Sequence, residues 1–143
     1  MNNKSGFLIL IILCMIQITA VSAKTFPETP EGVVMHYFYS LKNEDFKTAY
    51  NLIHPQSKSR TIVYQTPESY ELSMKNSEEA KLYGTFKIFK VVPVKDKQDQ
   101  KVVFIDKQNS WNYIGYLTIK EGTAWKIDPH PVIRYSKEVL EKV

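Results

Sequence analysis

Apolar side chains recur at helical spacing early in the chain. Val34, Phe38 and Leu41, flanked by Val33 and Tyr37, form one stripe that predicts a buried helix face. The start of that helix is written in Thr29, Pro30 and Glu31. A hydroxyl at the cap accepts an orphan N–H, proline has no N–H to leave unpaired, and a carboxylate suits the positive helix end. Asn43 reads as the cap of a second helix, with Glu44 and Asp45 in its first turn and Phe46, Ala49, Tyr50 and Ile53 on its apolar side. Pro55 ends it, because the residue before proline avoids helical geometry. Gln56 to Arg60 is polar and basic and reads as a loop, and Thr61 to Tyr64 reads as extended. Thr66, Pro67 and Glu68 repeat the helix-start signal and open a third helix to Asn76, with Tyr70 and Met74 one turn apart.

From Lys81 the period changes. Leu82 to Val92 is rich in β-branched and aromatic residues, with Phe86 and Ile88 on one face and Phe89 and Val91 on the other, and Pro93 weakens or ends the strand. Lys95 to Gln100 reads as a charged turn, Val102 to Asp106 as a second strand, and Trp111 to Lys120 as a third. Glu121, Gly122 and Thr123 make a tight turn into a fourth strand, Ala124 to Asp128. Pro129 and Pro131 break the chain, and Arg134 to Lys142 reads as a terminal helix. Along the third strand Trp111, Tyr113, Leu117 and Ile119 share one face, while Asn112, Tyr116, Thr118 and Lys120 dominate the other. Gly115 interrupts the contrast, as a glycine at a bend does. Helices followed by a run of antiparallel strands define an α+β domain with the helices on one sheet face.

Composition adds a compartment. Lys4 precedes an uncharged apolar run from Phe7 to Met15, and Val21, Ser22 and Ala23 form a small-residue cleavage signature before Lys24. That order is the pattern of a secretory signal peptide over residues 1–23. The run is shorter than the ~20 apolar residues that span a bilayer, and an uncleaved anchor stays as the alternative. The protein is therefore expected in the periplasm, the cell envelope or the extracellular space. Cys14 is the only cysteine. Leu13 before it is too large for a lipoprotein signal, so Cys14 reads as an apolar member of the run. Residues 24–143 then form one domain, held by its core without disulfides. The whole chain carries 19 Lys and Arg against 15 Asp and Glu, too mild an excess to argue for nucleic acid.

The Pro30-Glu31 opening to an aromatic-rich helix, the short break before Glu44-Asp45-Phe46, and the meander ending in Trp125-Lys126-Ile127 resemble the NTF2-like superfamily. More narrowly, they are similar to its small exported bacterial members of uncharacterised role. The resemblance spans residues 30–128 and rests on element order and a few hydrophobic positions. It implies a cone, in which a curved antiparallel sheet wraps the N-terminal helices and leaves a pocket. Its members include isomerases, dehydratases, small-molecule binders and structural interaction domains, so fold alone does not settle function.

The chemistry-bearing residues are sparse. His36, His54 and His130 have no metal-ligand spacing, and no metal or cofactor is implied. His36 reads as a structural histidine beside the stripe, His54 as a helix-end residue and His130 as a loop residue. There is no Gly-x-Ser-x-Gly elbow and no glycine-rich phosphate loop. Catalysis of the isomerase or dehydratase type needs a carboxylate and a tyrosine in one pocket. Asp106 and Asp128, with Tyr37, Tyr83, Tyr113 and Tyr116, are the parts on offer, and none matches a known motif. Lys58 and Arg60, with Lys87, Lys90, Lys95, Lys97 and Lys101, would make a basic patch for an anionic envelope polymer, against the simpler reading of solvated charge.

The sequence thus points to an exported, non-enzymatic NTF2-like domain. It binds a small molecule, an envelope polymer or a protein through its concave pocket or sheet face. An enzyme using an Asp/Tyr pair in the same pocket is the alternative, and an assembly factor of a secretion or cell-wall system is a third. The expected ligand-binding residues are Tyr37, Trp111 and Tyr113, with no catalytic residue and no metal ligand. The oligomeric state is left open. The leader gives the first prediction. Mass spectrometry of the exported protein should find Lys24 at its N-terminus, and an intact residue 1 or a lipid on Cys14 would refute that.

Overall fold

The computed structural model describes residues 23–142, so the expected leader and Cys14 lie outside the described residues. Helix α1 runs Pro30–Lys42 as its signals predict: the Gly32 N–H donates to the Thr29 hydroxyl at 3.0 Å, and Pro30 takes the first helical position. The carbonyl of Pro27 packs so closely over Gly32 that a Cβ there would collide with it. A glycine at this position is what lets the lead-in strap lie across the helix.

The junction to α2 differs from expectation. Asn43 caps the end of α1, its side-chain amide donating to the Tyr39 carbonyl at 2.7 Å. Glu44 takes a left-handed φ of 58°, and the Asp45 carboxylate accepts from the Thr48 N–H at 3.1 Å to cap α2, Phe46–Leu52. Those Thr48 hydrogen bonds hold the Asp45 carboxyl below its ordinary range. A capping residue can serve either helix end, and here the one nearer the apolar run starts the new helix. Beyond α2, Ile53 is already extended and bridges Ile127 in parallel.

Thr61 to Tyr64 is also not extended; Ser59–Val63 forms a π-helical turn. The Ser57 carbonyl accepts both the N–H and the hydroxyl of Thr61, at 3.0 and 2.8 Å, and such local bonds compete with an extended chain. Helix α3, Pro67–Met74, opens with a capping box in which Thr66 and Ser69 bond each other's backbone. Its Tyr70 and Met74 are buried as predicted.

A 3₁₀ turn at Glu79–Lys81 leads into a four-stranded antiparallel meander in the order β1-β2-β3-β4. The strands are Phe86–Val94, Lys97–Lys107, Asn112–Glu121 and Ala124–Ser136. The first turn is only Lys95-Asp96, with Asp96 at φ 60°, so the expected charged turn is mostly strand. Three prolines fall inside strands, contrary to expectation. Pro93 lies in β1 and Pro129 and Pro131 in β4, both edge strands, where a missing N–H breaks no interior ladder. In β4 the pairing jumps from Asp128, opposite Leu117, to Ile133, opposite Gly115, so residues 129–132 bulge out. The strand resumes and runs to Ser136, and the terminal helix shrinks to α4, Lys137–Leu140.

The helices cover one sheet face. Phe38 packs edge-on against Phe86 and Tyr116, with ring centroids 5.3 and 5.1 Å apart, and Val34, Leu41 and Ile127 join the same cluster beside Trp125. A bulge after Ile88 makes Phe89 the extra residue, so Val91 joins Phe86 and Ile88 on the helix side instead of opposing them. The other face is covered in part. Val102, Phe104, Tyr113 and Leu140 form a second cluster under α4, and Gly115 is needed there because a Cβ would lie 2.7 Å from Phe104 Cε1.

Phe38 is fully buried at the centre of the larger cluster. Truncation to alanine should cost about 3–5 kcal/mol, the penalty for a cavity of aromatic size. A loss below about 1 kcal/mol in a urea melt would contradict the packing of α1 on the sheet.

Candidate functional site

The helix-facing side of the sheet is not filled to its end. Where the 3₁₀ turn passes the start of β3, a groove of about 670 Å³ stays open. Leu82, Ile114 and Tyr116 line it with apolar surface, Glu79 and Arg134 with charge, and Trp111 with an indole that is 90% exposed. Strand alternation puts Ile114 and Tyr116 on this face, and Arg134 pairs directly with Ile114 from β4. The turn between β2 and β3 adds Lys107, Asn109 and Asn112, with Asn109 in the left-handed region at φ 61°.

Glu79 is the unusual group. One carboxylate oxygen, Oε1, is covered and has no hydrogen-bond partner. Burial pushes its carboxyl up to about 7. It sits within electrostatic reach of four tyrosines, Tyr37, Tyr64, Tyr70 and Tyr116, each of whose hydroxyls is raised chiefly by burial and further by this carboxylate. Tyr70 donates to the Tyr37 hydroxyl at 3.0 Å, which satisfies both in the core. Arg134 acts on Tyr116 in the opposite sense to Glu79. Neither Glu79 nor Arg134 forms an ion pair among the described residues. Beside them Glu78 is already bound to Lys81 at 2.8 Å.

The expected ligand-binding set is not brought together. Tyr37 is fully buried under α1, in the cluster between helices and sheet. Tyr113 belongs to the opposite face, where it stacks on Phe89 at 3.9 Å and donates to Glu141 at 2.8 Å. Burial and then that acceptor push the Tyr113 hydroxyl up to about 12. Only Trp111 reaches the groove. The face carrying Tyr113 and Leu117 is apolar because α4 covers it, so an apolar face did not identify the helix side.

The Asp/Tyr pair of the enzyme alternative is also not assembled. Asp106 forms an ion pair with Lys137 at 2.5 Å. Asp128 is buried and accepts from the Ser59 hydroxyl at 2.5 Å, and Ser59 Oγ in turn accepts the His130 N–H at 3.0 Å. The His130 ring turns away to the Tyr64 hydroxyl at 3.1 Å. Ser59, His130 and Asp128 therefore make a polar pin for the β4 bulge, not a nucleophile with its base. His36 stacks on Phe26 at 4.7 Å, and burial lowers its pKa. His54 accepts the Gln56 N–H at 3.3 Å.

The basic patch divides. Arg60 lies over the Tyr50 ring at 4.4 Å and Lys101 over Trp125 at 5.5 Å, while Lys87 pairs opposite Asp106 and Lys90 opposite Phe104. Among the described residues, no group of three His, Cys, Asp or Glu is placed to hold a metal ion, and no helix is long and apolar enough to cross a membrane.

Glu79 and Arg134 carry no signal of a site in the sequence. Glu79 stands in a polar stretch without periodicity, and its burial comes from the packing of the 3₁₀ turn against α1. Residues 134–142 read as a helix from the sequence, and the β4 bulge returns Arg134 to the sheet.

No protein-family model matches the chain, and no curated protein matches it. Among solved structures it is similar to a cystatin-like protein from Ruminococcus gnavus at 16% identity and a TM-score of 0.49. The likeness covers 82% of this chain and 43% of that one, so this chain spans less than half of that protein's length.

Glu79 gives a pH prediction. Its carboxyl keeps a proton in the folded chain up to about 7, whereas its ordinary value, the one that holds in the unfolded chain, is 4.5. Its contribution to stability therefore falls as pH rises from 4.5 to about 7, and that cost is complete above this window. Relative to wild type, Glu79→Gln should gain on the order of 3 kcal/mol between about pH 4 and about pH 8 in paired urea melts. A difference that stays constant with pH would contradict a covered carboxyl.

Proposed function

We propose that this domain is an exported binding module that takes a small polar molecule into the groove beside Glu79. One observation carries the reading. An exposed indole and charges of both signs, with Glu79 and Arg134 not ion-paired among the described residues, converge on an end of the helix-facing sheet side that the core leaves open. Core clusters fill the middle of both sheet faces. A concave site with apolar lining and a few convergent polar groups is the form that small-ligand sites take, and the groove falls within their usual range of roughly 300–1,000 Å³. The finer reading of the fold, an NTF2-like cone, is supported by three helices preceding an antiparallel meander and by a groove between the two layers.

An enzyme is the second reading, with Glu79 as the acid in place of Asp106 or Asp128 and Tyr116 as the tyrosine. Glu79, with a carboxyl near neutrality, lines the same groove as Tyr116, and a group poised near the working pH suits proton transfer. It predicts turnover that Glu79→Gln abolishes. The binding module predicts none.

The test is a ¹H–¹⁵N shift map of residues 24–143 against amino acids, short peptides, mono- and disaccharides, nucleosides and carboxylic acids. Binding should move amides of residues 78–82, 107–116 and 134, and Trp111→Ala should weaken it at least about tenfold with the melting temperature unchanged, since hot-spot tryptophans contribute this much. Shifts confined to the α4 face, or none from any compound, would overturn the proposal.

A further inference from the structure

We infer that the groove's ligand is a small zwitterion, with an ammonium group against Glu79 and a carboxylate against Arg134, as in a free amino acid or the ends of a short peptide. This rests on the groove being a binding site and adds the ligand's charge pattern. The groove contains four charged side chains besides its polar amides: Glu78, Glu79, Lys107 and Arg134. Glu78 is satisfied by Lys81, and Lys107 lies within electrostatic reach of Glu78. That leaves the acid Glu79 and two cations, Lys107 and Arg134, none ion-paired among the described residues. Glu79 and Arg134 do not pair with each other, although both act on the Tyr116 hydroxyl.

Two opposite charges that share a groove without meeting are compensated by a ligand that carries both opposites. Oε1 of Glu79 is covered and lacks a donor, so the carboxylate is poorly solvated, and where Glu79 lines the groove an ammonium supplies up to three donors to it. The Arg134 guanidinium presents a planar fork matched to a carboxylate. A neutral sugar would stack on Trp111 but leave the covered Glu79 carboxylate without a counter-charge, while Arg134 is exposed and stays hydrated. A simple anion or a simple amine would satisfy only one of them.

The groups facing Glu79 fix how binding depends on pH. Tyr37 from α1, Tyr64 and Tyr70 from around α3, and Tyr116 from β3 all stay neutral, because burial raises each hydroxyl. Glu78, Lys107 and Arg134 are the charged neighbours along the groove. Glu79 must lose its proton to receive an ammonium, so binding should tighten about tenfold between about pH 6 and about pH 8.

The experiment titrates residues 24–143 with each common L-amino acid and with di- and trialanine, followed by amide shifts. At least one compound should saturate shifts at residues 79, 116 and 134, and which set binds separates free amino acids from peptide ends. The N-acetyl and C-amide derivatives of the binder should each be at least about tenfold weaker on the wild-type chain, as loss of a charged partner requires. In Arg134→Gln the acid and its amide should bind equally, and in Glu79→Gln the tightening with pH should vanish. If another class of compound shifts the groove while every amino acid and peptide is silent, the zwitterion inference falls and the binding module stands. If nothing shifts the groove, both fall. A binder whose derivatives bind as well as the parent also overturns the inference.

Discussion

The structure depends on Phe38 lying edge-on between Phe86 and Tyr116. That contact joins α1 to both the first and third strands, and so sets the distance between the helical layer and the sheet. Tyr116, held at its ring by Phe38, also lines the groove. Because α1 sits at that height, Tyr37 comes within reach of Tyr70, and the 3₁₀ turn with Glu79 folds over the remaining gap. Without a disulfide among the described residues, this aromatic wedge and the apolar residues around it fix the geometry of the site.

Two local devices support the wedge. The Ser59, Asp128 and His130 pin holds the bulge of β4 against the π-helical turn, which lets two prolines sit in a strand and still returns Arg134 to the sheet. At the other edge, the bulge at Phe89 shifts β1 by one residue and delivers Val91 to the core. Both bulges are on edge strands, where an unpaired residue costs least.

Local chemistry was legible and long-range context was not. Thr29-Pro30-Glu31 and Thr66-Pro67 state their helix starts because a cap is satisfied within three residues. The stripe of Val34, Phe38 and Leu41 is legible because its period belongs to the helix alone. Asn43 and Asp45 compete for the same junction, and only the packing of Phe46 decides between them. The third strand misled for a similar reason. Its alternation separated the two faces correctly, yet α4 buries Tyr113 and Leu117 as the other helices bury Ile114 and Tyr116, so apolarity did not tell inside from outside. Glu79 carries no sequence signal, since what makes it unusual is the absence of a partner after the chain has folded around it.

The groove beside Glu79 is the central claim, and the two tryptophans allow a direct reading of it. With both labelled as fluorotryptophan, Trp111 at the groove and Trp125 beside α1 give two ¹⁹F signals, assigned by replacing either one. Adding the small-molecule fraction of cells that make the protein should shift the Trp111 signal, leave Trp125 in place, and lose its effect in Arg134→Gln. A Trp111 signal that never moves, or one that moves equally in Arg134→Gln, would contradict the account.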